Sequence, residues 1–212
     1  MPHELLTIGH SNHSLAHFIL LLRRHRITAV ADVRSSPHSS RHPHFNQRPL
    51  AEALLATAEI PYVFLGRQLG ARPDDPECYT ADGRVSFDRL ARTLSFRNGL
   101  RRVLKGLERY RIALLCAEQD PLECHRGILI APRLRPEVSA LWHIGPDGSL
   151  ESHEQAETRL LQTLHLPTRA LFHDPAEQLA EAYRRQEERI AWRRPAPGET
   201  LRGPSREDQE SG

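Results

Sequence analysis

Thiols are scarce in this chain: Cys78, Cys116 and Cys124 are its only cysteines. An odd count at irregular spacing does not make a disulfide framework, so a reducing cytoplasm is the expected setting. Long apolar runs are missing too. No stretch approaches the roughly 18 residues that a membrane-spanning helix needs, so no membrane partner is expected. The opening Met-Pro-His-Glu-Leu-Leu has no positive segment followed by an apolar run, and a secretory leader is not expected. Neither charge sign dominates: 29 basic residues against 27 acidic ones leave a formal net charge of +2. Global charge therefore does not argue for nucleic acid. G-x-G-x-x-G after the first strand and G-x-x-x-x-G-K-[ST] are both absent, so dinucleotide and P-loop binding lack their usual signals.

What is present is an alternation of short apolar runs and helical periodicities. Leu5 to Gly9 reads as a strand. Ser14 can cap a helix whose face carries Leu15, Phe18, Ile19 and Leu22, at the i, i+3, i+4, i+7 spacing of one helical side. Ile27 to Val33 is a second strand, and Leu50, Ala53, Leu54 and Ala58 mark the next helix. Tyr62 to Leu65 is a third strand, followed by a loop over 66–84. Helical patterns then run from Phe87, with Asn98-Gly99 as the expected break. Ile112 to Cys116 is a buried-type strand, Glu123 to Leu134 a helix, and Val138 to Ile144 the last strand.

Strands alternating with helices imply right-handed crossovers. The expected fold is α/β: a single mostly parallel sheet with flanking helices in a Rossmann-like three-layer arrangement, plus a C-terminal helical extension. Residues 1–150 form the α/β domain and 151–194 the extension packed on it. Residues 195–212 are rich in Pro, Gly, Ser and charge and are expected to be a disordered tail.

In an open parallel sheet, ligands bind beyond the carboxyl ends of the strands. Four successive strand ends here open into polar, reactive or glycine-containing sequence. The first is Gly9-His10-Ser11-Asn12-His13 and the second Asp32-Val33-Arg34-Ser35-Ser36. The third is Gly66-Arg67-Gln68-Leu69-Gly70. The fourth is Cys116-Ala117-Glu118-Gln119-Asp120, continued by Glu123-Cys124-His125-Arg126. His143 lies in the fifth strand.

Several of these segments also occur together elsewhere. Thr7-Ile8-Gly9-His10-Ser11-Asn12, Asp32-Val33-Arg34-Ser35, Leu69-Gly70 and Cys116-Ala117-Glu118 with Cys124-His125-Arg126 resemble the signatures of the domain of unknown function 488 family. The resemblance spans most of residues 5–150. It implies an intracellular α/β protein and supplies no established reaction, so function has to be argued from chemistry.

A thiolate at neutral pH needs positive charge or a helix N-terminus beside it. Cys124 has His125 and Arg126 next to it, whereas Glu118, Asp120 and Glu123 oppose ionisation. Buried cysteine is the bland alternative for both Cys116 and Cys124. Glu118 is the favoured general base or nucleophile, and Asp32 is a second carboxylate on a strand end. Pairing of these acids with Arg34 or Arg126 is the structural alternative. A metal reading joins Cys116, Cys124, His125 and His10. The seven-residue gap and the adjacency of Cys124 and His125 count against it, so no cofactor is expected and a divalent metal stays a third choice.

Arg34, His38, Arg41, His42, His44 and Arg48 form a loop with no acid between its ends, and Phe45 sits among them. Arginines beside an aromatic suit phosphate contact and base stacking. The expected function is an enzyme, a hydrolase or group transferase, acting on a phosphate-bearing small molecule, nucleotide or nucleic-acid component. Glu118, Cys124 and His125 would do the chemistry with His10 and Asp32 orienting them. Gly9, Ser11, Asn12, Arg34, Ser35, Arg41, Phe45, Gly70 and Arg126 would bind. A non-catalytic nucleic-acid or nucleotide binding module is the alternative, and a metal-dependent enzyme using the Cys/His cluster is the third reading.

Overall fold

Period-two alternation sorts the strand residues onto two faces. Leu5, Ala29, Ala31, Ile112, Leu114 and Leu141 enter one core. Leu6, Ile8, Val30, Ala113, Leu115 and Ile144 enter the other. A strand buried on both faces needs helices on both, and that requirement sets the three layers. The computed structural model describes residues 3–167 and 174–195.

The strands are β1 (Glu4–Gly9), β2 (Ala29–Asp32), β3 (Tyr62–Phe64), β4 (Ile112–Cys116), β5 (Ala140–Ile144) and β6 (Leu150–Ser152). They form one sheet in the order β3-β2-β4-β1-β5-β6. Every pairing is parallel except β5 with β6. Helices α1 (Leu15–Arg24) and α2 (Gln47–Ala58) supply the smaller core, through residues such as Phe18, Leu22, Leu50 and Leu54. The larger core takes α3 (Gly66–Leu69), α4 (Phe87–Arg92), α5 (Leu94–Leu107), α6 (Ala131–Leu134), α7 (His153–Thr163) and α8 (Pro175–Ile190).

The expected α/β architecture with C-terminal helices holds, with local corrections. Val138–Ile144 does not end the sheet, because the short β6 (Leu150–Ser152) pairs back on it across the point, between residues 150 and 151, where the extension was expected to begin. Asn98-Gly99 does not break a helix: α5 starts at its Thr93 cap and runs through both residues. A Cβ on Gly99 would lie 2.7 Å from the Leu69 side chain. The glycine lets α3 pack closely on α5, and that packing outweighs its poor helix propensity of about 1 kcal/mol. The loop over 66–84 contains α3 and a 3-10 turn, Pro76–Cys78. The helix expected from Glu123 begins later, as a π turn over Arg126–Ile130 that continues into α6. The tail expected from 195 lies outside the described residues, apart from Pro195.

Candidate functional site

Strands β2, β4 and β1 are neighbours in the sheet, so the segments leaving their carboxyl ends meet. Backbone pairing continues past the strands: His10 N donates to the Cys116 carbonyl at 3.0 Å and Ser11 N to the Ala117 carbonyl at 2.9 Å. Gly9 permits this approach, since a Cβ there would fall 1.8 Å from the Glu118 carbonyl oxygen. Beyond these ends lies a cleft of about 760 Å³.

Asp32 and Arg34 form a buried ion pair. Arg34 Nε reaches both Asp32 oxygens, at 2.9 and 3.0 Å, and Nη2 also donates to the Phe45 carbonyl. Tyr62 donates its hydroxyl to Asp32 Oδ2 at 2.6 Å. Burial and the Asp32 charge push the Tyr62 phenol far up, so it remains a neutral donor. Arg34 Nη1 makes no hydrogen bond among the described residues, while no buried side-chain nitrogen or oxygen there lacks a partner. That donor is therefore open to the cleft, which Arg34 lines. Asp32 thus aims an arginine and is not itself presented to a ligand.

His10 stacks on Phe45 with ring centroids 4.4 Å apart. Its Nδ1 donates to the Ser11 carbonyl at 2.9 Å. Burial, helped by the Arg34 and His42 charges, lowers its pKa to about 4. At neutral pH it is an uncharged imidazole whose Nε2 can accept from a ligand.

Cys116, Cys124, His125 and Glu118 meet at the bottom of the cleft. A 3-10 turn over Pro121–Glu123 returns the chain, and the backbone then switches from extended at Cys124 (φ −141°, ψ 142°) to helical at His125 (φ −60°, ψ −22°). The switch turns adjacent side chains to the same side. His125 Nε2 donates to the Val33 carbonyl at 3.1 Å, so in the neutral ring Nδ1 carries the lone pair. Nδ1 lies 3.6 Å from Cys116 Sγ and 3.9 Å from Cys124 Sγ. Cys116 donates its thiol hydrogen to Glu118 Oε2 at 3.0 Å.

Burial raises both thiols. For Cys124 the positive charge of Arg126 opposes it, and that sulfur sits well below the ordinary thiol range. Cys116, beside that sulfur and Glu118, stays far above it. Glu118 is exposed to the cleft. Protein packed around its carboxylate, followed by the Cys124 charge, still pushes it above the usual carboxylate range.

Residues 14–131 match the family described as Domain of unknown function DUF488, which is more than half of the 212 residues. The chain belongs to this family. No curated protein and no solved structure matches it. In this DUF488 protein the matched span contains the Asp32–Ser35 segment and the whole Cys116–Arg126 segment, while Thr7–Asn12 precedes it.

Of the residues expected at the site, His10, Ser11, Asn12, Arg34, Ser35, Arg41, Glu118, Cys124 and His125 line the cleft. Asp32, Gly9, Phe45, Gly70 and Arg126 do not. Phe45 is fully buried under His10, so its ring has no free face for a base. Gly70 packs on Ser35, where a Cβ would meet that side chain at 2.7 Å. Arg126 is fully buried and donates to the Glu118 and Gln119 carbonyls at 2.7 Å each. It shapes the loop and offers nothing to a ligand. Arg48 pairs with Glu52 on the outer face of α2. The cleft also has an apolar wall that sequence reasoning missed, made by Phe87, Ile190 and Trp192. Arg72 stands 5.5 Å over the Trp192 ring. No local motif marks these residues, because they come from α4, from the last residue of α8 and from the segment just after it.

Proposed function

We propose that this protein is an enzyme that binds a phosphate-bearing small molecule, nucleotide or nucleic-acid component in the cleft, and hydrolyses it or transfers a group from it. One observation carries the reading. The open Nη1 of Arg34 and the basic rim of Arg41 and Arg72 share a cleft with a bottom where a carboxylate, two thiols and a bare imidazole nitrogen meet. The rim suits the anionic group and the bottom suits bond making. Arg34 is held rigid by Asp32, so its remaining donor is preorganised for an anion. Glu118 takes the proton of an attacking water as the water oxygen bonds to the electrophilic centre. The bond to the leaving group breaks, and Glu118 returns the proton to that group. The apolar wall at Trp192 suits a substrate with a ring beside its phosphate.

Thermal-shift binding of inorganic phosphate, pyrophosphate, nucleotides and short single-stranded DNA, followed by phosphorus NMR of the tightest ligand, tests the reading. Glu118→Gln is expected to keep binding and lose turnover by about 100-fold or more. Arg34→Ala, which leaves Asp32 unpaired, and the gentler Arg41→Ala are both expected to weaken binding, whereas Arg189→Ala leaves it unchanged. Tight binding with no turnover of any ligand would favour the non-catalytic module. That alternative is consistent with how little of the corner is open: Cys116 and Cys124 are each 2% exposed.

A further inference from the structure

We infer that the cysteine corner is a divalent transition-metal site of the zinc class, with Cys116 Sγ, Cys124 Sγ and His125 Nδ1 as its three protein ligands and a fourth position open beside Glu118. These three ligand atoms all lie within 4.8 Å of one another. Bond lengths of about 2.3 Å to sulfur and 2.1 Å to nitrogen at the tetrahedral angle put sulfur and nitrogen ligands about 3.6 Å apart. The observed separations of 3.6 and 3.9 Å sit on that value, so little movement is needed to close around an ion.

The surroundings agree. A metal-bound histidine gives its other ring nitrogen to a carbonyl or carboxylate, which fixes the tautomer and the ring plane. His125 does this through Nε2 to the Val33 carbonyl. The Arg126 backbone N–H points at Cys124 Sγ at 3.4 Å, as amides do toward thiolate ligands. The adjacency of Cys124 and His125 is no obstacle, because the backbone changes from extended to helical between them.

Glu118 touches Cys116 but is not one of the three mutually close ligands. Three protein ligands with one open position is the pattern of a catalytic rather than a structural zinc. A Cys/Cys/His set with a carboxylate that does not ligate is one that activates water, the carboxylate moving the proton. The two thiolates cancel the charge of a divalent ion. The site therefore holds a neutral water more readily than an anion, and the phosphate falls to the arginines. The metal deepens the hydrolytic reading given above, yet its presence can be measured without any substrate, so the two can fail separately.

The test uses the full chain, stripped with chelator, kept reduced with a phosphine, and titrated with Zn(II) or Co(II) salts alone. About one equivalent is expected to bind. The Co(II) form is expected to show tetrahedral d–d bands and thiolate-to-metal charge transfer. Cys124→Ser should lose about half of the charge-transfer intensity, His125→Gln should shift the d–d bands, and Cys78→Ser should change neither. Absence of charge transfer in the wild-type protein would overturn the proposal without need of any variant. So would bands that survive unchanged in Cys124→Ser or His125→Gln.

Discussion

Two buried polar clusters flank Arg126, and they are built on opposite terms. One is a chain of hydrogen bonds running through Thr7, His143, His153, Tyr183 and Glu157. Tyr183 donates to Glu157 at 2.7 Å, so its oxygen accepts from His153 Nε2 at 3.0 Å. His153 Nδ1 then accepts from His143 Nε2 at 3.1 Å, and His143 Nδ1 accepts from the Thr7 hydroxyl at 2.7 Å. Each donor in this run has an acceptor, and each histidine uses both of its nitrogens. The other cluster is the cysteine corner, where the lone pair of His125 faces two sulfur atoms and the cleft stands open. A saturated polar network ties elements together: here it links β1, β5, α7 and α8. An unsaturated one keeps capacity for a ligand. Histidine alone does not distinguish a site from a strut; the count of its remaining lone pairs does.

Arg126 serves both clusters, with Nε toward Thr7 Oγ1 at 3.4 Å and both Nη atoms on the Glu118–Gln119 loop. Removing it should have the largest effect. Arg126→Leu removes a fully buried guanidinium and strands the two loop carbonyls that now receive its charge-assisted hydrogen bonds, and a loss of about 3–5 kcal/mol in urea unfolding is expected. A loss below about 1 kcal/mol, within the range of a surface substitution, would show that the two clusters do not depend on a shared arginine.

Acid should load the hydrogen-bonded chain next, with His10 in the cleft adding to the same slope. Burial holds His143 well below the ordinary imidazole range and lowers His153 to about 4. The unfolded chain therefore binds these protons first, and stability is complete above about pH 6.5 and falls as pH drops toward 4. For His153 alone the loss is roughly 2 kcal/mol by pH 5. Unfolding free energy measured at pH 7 and pH 5 checks this, and His153→Gln is expected to flatten the slope. A slope unchanged in that variant would mean that the chain is not what titrates.

The smallest effect comes from the far end of the chain. Tyr183→Phe removes one donor to a half-buried glutamate, and a cost of about 1 kcal/mol is expected. Ligand binding in the cleft should be unaffected, because the saturated cluster ends at α8 and not at the site. A change in binding affinity would show that α8 couples the two.

The same contrast explains what was legible in the sequence. The strands were, because β1, β2 and β4 are buried on both faces and read as apolar runs. β6 was not: Leu150-Glu151-Ser152 is too short to show any period. The position of the cleft was legible, since residues after strand ends follow from topology. The roles within it were less so. Arg126 reads as a ligand-binding residue until its burial is known, and Phe45 as a stacking surface until His10 covers it. The Cys124-His125 pair argues against a shared ion only if the backbone runs regularly through both residues. Burial and backbone direction are tertiary facts that a local window does not contain. The hydrogen-bonded chain was invisible for the same reason, as it joins residues up to 136 positions apart.

The basic rim and the cysteine corner act on one ligand only if they form one site. Alkylation of Cys116 and Cys124 by iodoacetamide, read peptide by peptide against Cys78 in metal-free protein, measures this with and without the tightest phosphate-bearing ligand. Slower modification of Cys116 and Cys124 in the presence of ligand, with Cys78 unchanged, is the predicted result. Modification of Cys124 at the same rate when the ligand is fully bound would place the anion elsewhere and contradict the account.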